Sequence, residues 1–386
     1  MIDAGLYVHV PFCATRCGYC DFYTNVPGRG EMPPLVDALI ADMDRLLQRH
    51  ELRIKTIFVG GGTPTLLPVE LLEGLFRRLG EVAAHHRPEE FTVEANPASL
   101  ADAKANILRA AGVNRISMGA QSFHQNELRV LDRLHSPADL EPSAAIVHRA
   151  GFEHFNLDLI FGIPGQSIES WRESLARAVA LGPDHLSCYS LTFEPGTPLH
   201  ERKSAGFIRP VAEDWEADLY QAVIDGCESA GYRQYEISNF AKPGCESKHN
   251  LRYWRNESVV SVGPSAASYL EGHRWKNIAD THEYVRRVSQ GADATIDHET
   301  LSPLERAGET AMLQLRLTEG MDIRAFQETT GYCPKAVFAE QIARFAGMGL
   351  LHVSDEAIAL TRAGRFVSDA ILADFLSPIE ANAGAA

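Results

Sequence analysis

No stretch of about eighteen consecutive apolar residues occurs in this 386-residue chain, so no transmembrane helix is expected. The opening MIDAGLYVHVPFC lacks the basic and apolar regions of a secretory signal. A cytoplasmic location follows, where thiols stay reduced. Basic residues are also short: 36 Lys and Arg stand against 51 Asp and Glu, a formal charge of −15. Such a polyanion repels phosphate backbones, so no nucleic-acid partner is expected, and membrane contact is expected only through partner proteins. Internal repeats and low-complexity tracts are missing too, apart from the final EANAGAA, so residues 378–386 read as a disordered tail. What remains is ordinary globular material, 45% hydrophobic and 23% charged, enough for one large α/β domain with a small appendage.

The chain alternates short β-branched or aromatic runs with amphipathic ones. Strands are predicted at LYVHV (6–10), TIFVGGG (56–62), FTVEAN (91–96), RISMGAQ (115–121), FNLDLIFGIP (155–164) and HLSCYSLTFEP (185–195). Helices are predicted between them, for example over 33–50, where Leu35, Leu39, Met43, Leu46 and Leu47 form one stripe. Alternation of this kind implies a parallel sheet with right-handed crossovers. The expected fold is a partial (β/α)6 barrel over residues 1–235. Residues 236–300 read as short strands, turns and a connector. Residues 301–377 read as a winged-helix-like α+β module, which opens on a Ser-Pro helix start. With seven Lys/Arg against eleven Asp/Glu over 299–377, that module is read as a packing or lid domain, not a DNA reader.

Cysteine is scarce except in LYVHVPFCATRCGYCDF (6–22), which holds Cys13, Cys17 and Cys20 at C-x3-C-x2-C. Cys188, Cys227, Cys245 and Cys333 stand singly, each read as a small core or surface residue. Structural zinc takes four ligands, and no second C-x2-C follows. Most electron-transfer [4Fe–4S] clusters also use four cysteines. Three thiolates instead leave one metal position open, as catalytic sites require. The spacing, with aromatic Tyr19 before the third cysteine, resembles the radical S-adenosylmethionine (SAM) superfamily. That resemblance implies a [4Fe–4S] cluster on Cys13, Cys17 and Cys20 whose open iron chelates SAM, leading to a 5′-deoxyadenosyl radical.

Such a pocket draws its other contacts from the C-terminal ends of successive strands. FVGGGTP ends one strand with three glycines that permit close backbone approach, and Glu94 in VEANP ends the next, able to accept from an ammonium or a ribose hydroxyl. Gln121, Arg133 and Asp158 occupy the following strand ends and crossover. Singly, each has a plain structural reading as a cap, turn or ion pair. Together with Tyr7, six residues before Cys13, the set resembles the SAM contacts of the oxygen-independent coproporphyrinogen oxidase family. The resemblance therefore implies that Tyr7, Tyr19, Gly61, Gly62, Thr63, Glu94, Gln121, Arg133 and Asp158 line a SAM site.

HVPFC, GGGTP, SMGAQSF, DLIFGIPGQ and YEISNFAKPG carry that resemblance along nearly the whole chain. The decarboxylating branch has a fourth cysteine two residues after the third and a longer N-terminal extension; here Phe22 holds that position and twelve residues precede Cys13. The other branch, the HemW group of heme chaperones, is marked by H-N-x-x-Y-W, and this chain reads HNLRYW, with His249, Asn250, Tyr253 and Trp254. A neutral imidazole is a good axial ligand for heme iron, and aromatic faces suit a porphyrin. The plain alternative is a loop histidine with a structural hydrogen bond beside core aromatics. Membership in that group implies heme and recipient haemoproteins as partners, is compatible with a homodimer, and assigns no catalytic residue. Two enzyme readings stand beside it: oxidative decarboxylation of coproporphyrinogen III, and radical methyl transfer. His9 either touches the cluster loop or packs, and His85 and His86 read as solvated.

Overall fold

The computed structural model describes residues 1–378; the tail expected over 378–386 lies outside them from residue 379 onward. Strands β1 (Ile2–Val10), β2 (Leu52–Gly61), β3 (Glu90–Ala95), β4 (Arg115–Gln121), β5 (His154–Phe161) and β6 (His185–Ser190) pair in that order, all parallel. Consecutive buried apolar residues such as Leu159, Ile160 and Phe161 in the fifth of them mark strands covered on both faces. Helices α1 (Met32–Arg49), α2 (Val69–His86), α3 (Asp102–Ala110), α4 (Gln125–Val130), α5 (Leu140–Ala150) and α6 (Ile168–Ala180) fill the crossovers. In α1 the stripe buries Leu35, Leu39 and Met43, while Leu46 and Leu47 stay half-buried at its rim. The sheet does not close, which is the partial barrel expected from the sequence.

Residues 236–300 prove more ordered than a connector. Strand β7 (Arg233–Gln234) and β8 (Asn239–Ala241) extend the sheet beyond β6, with β8 antiparallel to it. At the other edge β9 (Val259–Val262) runs parallel to β1, followed by β10 (Ala267–Leu270), β11 (His273–Asn277) and β12 (Thr295–Thr300), giving twelve strands. The HNLRYW segment, read as strands and turns, is helical: α7 (Pro198–Ser204) and α8 (Glu213–Ser229) precede α9 (Lys248–Trp254). Its N-cap Ser247 accepts from Asn250 N, and the buried Glu90 carboxylate accepts from Lys248 N at 2.9 Å and His249 N at 3.0 Å. A carboxylate on the first free amides of a helix is a strong cap, supplied here by a residue remote in sequence.

The C-terminal part has its own core around Phe326, Phe338, Phe345 and Phe375, under a three-stranded antiparallel sheet of β13 (Met321–Asp322), β15 (Ala357–Leu360) and β14 (Leu351–Val353) in that order. Its first helix, Pro303–Gln314, opens on Ser302 in a capping box with Glu305. Ile237 packs on this core, and Arg365 donates to Gln234 at 2.6 Å, so the module is seated against the far edge of the sheet. Among the described residues no helix is long and apolar enough to cross a membrane.

Candidate functional site

A cavity of about 1090 Å³ opens at the C-terminal ends of the parallel strands. It exceeds the usual range of about 300–1,000 Å³ for one small ligand. Cys13, Cys17 and Cys20 line it together with Tyr19, Gly61, Gly62, Thr63, Glu94, Gln121, Arg133 and Asp158. The residues singled out from separate strand ends therefore face one space. Tyr7 does not line it; its hydroxyl bonds His9 Nδ1 at 3.0 Å behind the wall. His9 completes that wall by bonding the Tyr23 carbonyl through Nε2 at 2.9 Å, so it packs.

The cysteine loop is held by backbone. Cys13 N donates to Asn25 O, Gly62 N to Val10 O and Thr63 N to Phe12 O. This close approach is why glycine is needed: a Cβ on Gly62 would lie 2.7 Å from both Phe12 O and Pro11 C. The Gly-rich strand end thus seats the metal loop as well as facing the cavity. Arg133 donates through Nη1 to Cys17 Sγ at 3.4 Å and through Nη2 to Gly119 O at 2.7 Å. Burial pushes the Cys13 thiol up to about 11 and raises Cys20, so a metal must pull off these protons to gain thiolates.

Two carboxylates share the cavity. Burial, then the Asp158 charge, push Glu94 up to about 8, partly offset by the Gly61 N–H that it accepts at 3.0 Å. Burial likewise raises Asp158 despite hydrogen bonds from Ser187 and Asn156. Two buried acids facing one cavity favour a cationic guest. Gln121 reaches the cavity from a left-handed backbone, φ 63°, at a register shift in β4. Bulges of this kind re-aim a side chain next to functional sites.

The four HNxxYW residues do not share one surface. Asn250 lines the cavity, whereas His249 is 1% exposed in the wall. Its Nδ1 bonds Thr56 Oγ1 at 2.8 Å, its ring sits between Phe58 and Tyr253, and its Nε2 is buried with no hydrogen-bond partner among the described residues. Burial, and then Arg252, push this imidazole down to about 3, so it is neutral. Tyr253 is 38% exposed, and Trp254 lies under the Arg316 guanidinium at 4.4 Å. His86, read as solvated, accepts from Ile54 N at 3.3 Å; His85 is exposed as expected.

The sequence reading missed the floor. Arg115, at the start of β4, donates from Nε to Glu90 at 3.0 Å, both nearly fully buried, and from Nη2 to Cys245 O at 2.8 Å. Arg316 and Arg365 reach the cavity from the C-terminal module. Charged residues at strand starts and loop ends carry no periodic mark that would have found them.

The radical SAM superfamily model matches residues 7–178, and the HemN C-terminal domain model matches residues 301–367. A protein named heme chaperone HemW from Bacillus subtilis is 35% identical over 97% of this chain and 99% of its own. The Escherichia coli protein of that name is 34% identical over 96% of this chain and 98% of its own. The solved Escherichia coli coproporphyrinogen III oxidase HemN, described as a radical SAM enzyme, superposes with a TM-score of 0.82 over 97% of this chain and 90% of that one, at 24% identity, which speaks to the fold. Radical SAM proteins carry an iron–sulfur cluster and SAM, and the three clustered cysteines and the paired buried acids suit both. On full-length likeness and on the architecture around its cysteine loop, this chain belongs to the HemW family of radical SAM proteins.

Proposed function

We propose that the protein is a cytoplasmic heme chaperone that binds heme and passes it to haemoproteins, on a scaffold holding a [4Fe–4S] cluster and SAM. The observation that carries the scaffold half is the convergence of Cys13, Cys17, Cys20 and eight further chosen residues on one cavity. In this reading the three thiolates hold three irons and the fourth iron chelates SAM. Glu94 and Asp158 accept from the ligand's cationic and hydroxyl groups, Gly61, Gly62 and Thr63 approach its amino-acid end, and Gln121, Arg133 and Tyr19 close its sides. Tyr7 acts behind them, orienting His9 under the loop. Phe22, 70% exposed at the cavity rim, stands where the decarboxylating relatives carry a fourth cysteine, which favours the chaperone over that chemistry. The division into a barrel (1–235), a motif segment (236–300) and a C-terminal module (301–377) is kept as a functional one, the middle segment presenting heme contacts.

The heme half rests on α9. His249 Nε2 is a buried nitrogen without a partner; with Nδ1 donating to Thr56 Oγ1, Nε2 carries the lone pair that a metal takes. Leaving such an atom unsatisfied costs about 1–3 kcal/mol, a cost that iron ligation would relieve. Access to it requires the Tyr253 or Phe58 ring to swing aside; Asn250, Tyr253 and Trp254 then border the porphyrin. The test is a heme titration, followed by Soret absorbance, of anaerobically reconstituted protein beside His249→Ala. Saturable one-to-one binding that weakens in the variant is expected. Equal binding removes His249 from the site, and no saturable binding refutes the chaperone reading.

A further inference from the structure

Cys245 stands alone in the sequence, but the fold gives it two neighbours. His154 is the first residue of β5, Asp184 precedes β6, and Cys245 follows β8, whose Ala241 pairs with His185 at the start of β6. All three therefore lie at the N-terminal edge of the sheet. The cluster cysteines lie at its opposite edge, one strand length or about 20 Å away at 3.3 Å per residue. A ring nitrogen of His154, a carboxylate oxygen of Asp184 and Cys245 Sγ all fall within 4.8 Å of one another. No other such trio of His, Cys, Asp or Glu ligand atoms occurs among the described residues.

The three side chains are positioned, not merely near. Lys242-Pro243-Gly244-Cys245 forms a tight turn, with Cys245 N donating to Lys242 O at 2.9 Å and Gly244 at φ 83°. Proline then left-handed glycine is the pattern of a type II turn, which fixes where Cys245 points. Lys242 N donates to Asp184 O at 2.8 Å, tying that turn to the β6 entrance. Asp184 spends Oδ1 on Phe155 N at 3.0 Å, leaving Oδ2 facing His154 Nδ1 at 2.6 Å. The nearby Arg115, paired with Glu90 and donating to the Cys245 carbonyl, acts downward on both Asp184 and Cys245 and so favours their charged forms. His154 and Asp184 keep 28% and 17% side-chain exposure, so solvent and ions can reach them.

We propose that His154, Asp184 and Cys245 form a binding site for a divalent transition ion of the zinc class, with water as the fourth ligand. Nitrogen, carboxylate oxygen and thiolate sulfur are the donor set such ions take, with bonds of about 2.0–2.3 Å. A tetrahedral centre places its donors about 3.3–3.8 Å apart, so the site closes by opening the His154–Asp184 hydrogen bond and drawing Cys245 inward by about 1 Å. For the ion to take the ring nitrogen that faces Asp184, the hydrogen there moves to the other ring nitrogen, while the Cys245 thiol proton leaves to solvent, so uptake releases the thiol proton. Although burial acts upward on Asp184, hydrogen bonds from His154 and Phe155 hold it below the usual carboxylate range, so one ligand is already charged. Occupancy would pin the loop from which α9 starts, because Cys245 is three residues before Lys248.

The experiment uses the full chain with its cluster reconstituted anaerobically, dialysed against buffered Zn2+, with bound zinc counted by elemental mass spectrometry. In parallel, Cys245 alkylation by iodoacetamide is followed at peptide level with and without zinc. One zinc per chain is expected, with Cys245 alkylation slowed about tenfold or more, since only the free thiolate reacts. His154→Ala and Asp184→Asn should each weaken zinc binding by about tenfold or more, at least the cost of losing an outer-shell partner. Cys245→Ser, at a half-buried turn position, should keep its cluster absorbance while losing the zinc. No bound zinc, zinc retained equally by Cys245→Ser, or alkylation at the unprotected rate would each overturn the assignment.

Discussion

The protonation of Glu94 gives the sharpest quantitative test of the cavity. Its carboxyl stands at about 8, against an ordinary 4.5, because it is buried beside Asp158 and receives one backbone N–H from Gly61. At pH 7 a value of about 8 leaves roughly nine in ten of these carboxyls protonated. An ammonium arriving within hydrogen-bond reach lowers such a group by about 1–3 units, which leaves it between half and almost fully ionised at pH 7. Binding SAM at pH 7 should therefore release about 0.4–0.9 proton per ligand from this group. Anaerobic calorimetry in buffers of different ionisation enthalpy reads that number as the slope of apparent enthalpy. Glu94→Gln should bring the slope close to zero. The same raised value acts on the free protein: its stability contribution is full below 4.5 and lost as pH rises through 8, and SAM should remove that loss. Tight SAM binding with no proton release in the wild type would refute the placement of Glu94 against the ligand's ammonium.

Other perturbations read other parts of the structure. Glu90→Gln leaves the Arg115 charge, 3% exposed, without its carboxylate and weakens the cap of α9, and should cost about 3–5 kcal/mol in urea unfolding; a loss under about 1 kcal/mol would show the pair to be dispensable. Gly62→Ala places a Cβ 2.7 Å from the Phe12 carbonyl and should displace the cysteine loop, so iron per chain falls while far-ultraviolet circular dichroism is kept; full iron content would contradict the loop-seating role. His249 stands at about 3 when folded against an ordinary 6.5, so its contribution is complete above 6.5 and is lost as pH falls from 6.5 toward 3. His249→Gln should accordingly flatten the acid limb of the stability curve between those values, and an unchanged limb would mean the imidazole is not what fails there.

The barrel and the cysteine loop were legible because their physics is local. A strand covered on both faces is mostly apolar, as LIF is in β5, and RISMGAQ, with Ile116, Met118 and Ala120 alternating, has in the structure the boundaries the sequence predicts. Three thiols in eight residues need no tertiary contact to be recognised. Gln121 was nameable from its motif, yet the left-handed backbone that turns it into the cavity was not, since nothing in SMGAQSF but the fold requires it. Helix α9 was missed for a different reason. Seven residues are too few to form a helix by propensity, and what holds it is Glu90, 158 residues from the amide at Lys248 that it caps. Strand β9 likewise exists because β1 offers it an edge 254 positions away in sequence, at Gly5↔Val259.

These two long-range arrangements meet at the functional segment. Glu90 sits at the start of β3 and Arg115 at the start of β4, and together they hold both the cap of α9 and the carbonyl of Cys245. The HNxxYW helix is therefore anchored to the floor of the parallel sheet, while its Asn250 faces the cavity roofed by the cysteine loop. At its other end Trp254 lies under Arg316, which also reaches Glu236 at 3.5 Å, so the C-terminal module rests on the same helix. A motion of α9 that exposed His249 Nε2 would have to strain contacts to the sheet floor, the cavity and the module together. A heme site placed there would sense all three, which is the arrangement a carrier needs if loading and release are to depend on what else is bound.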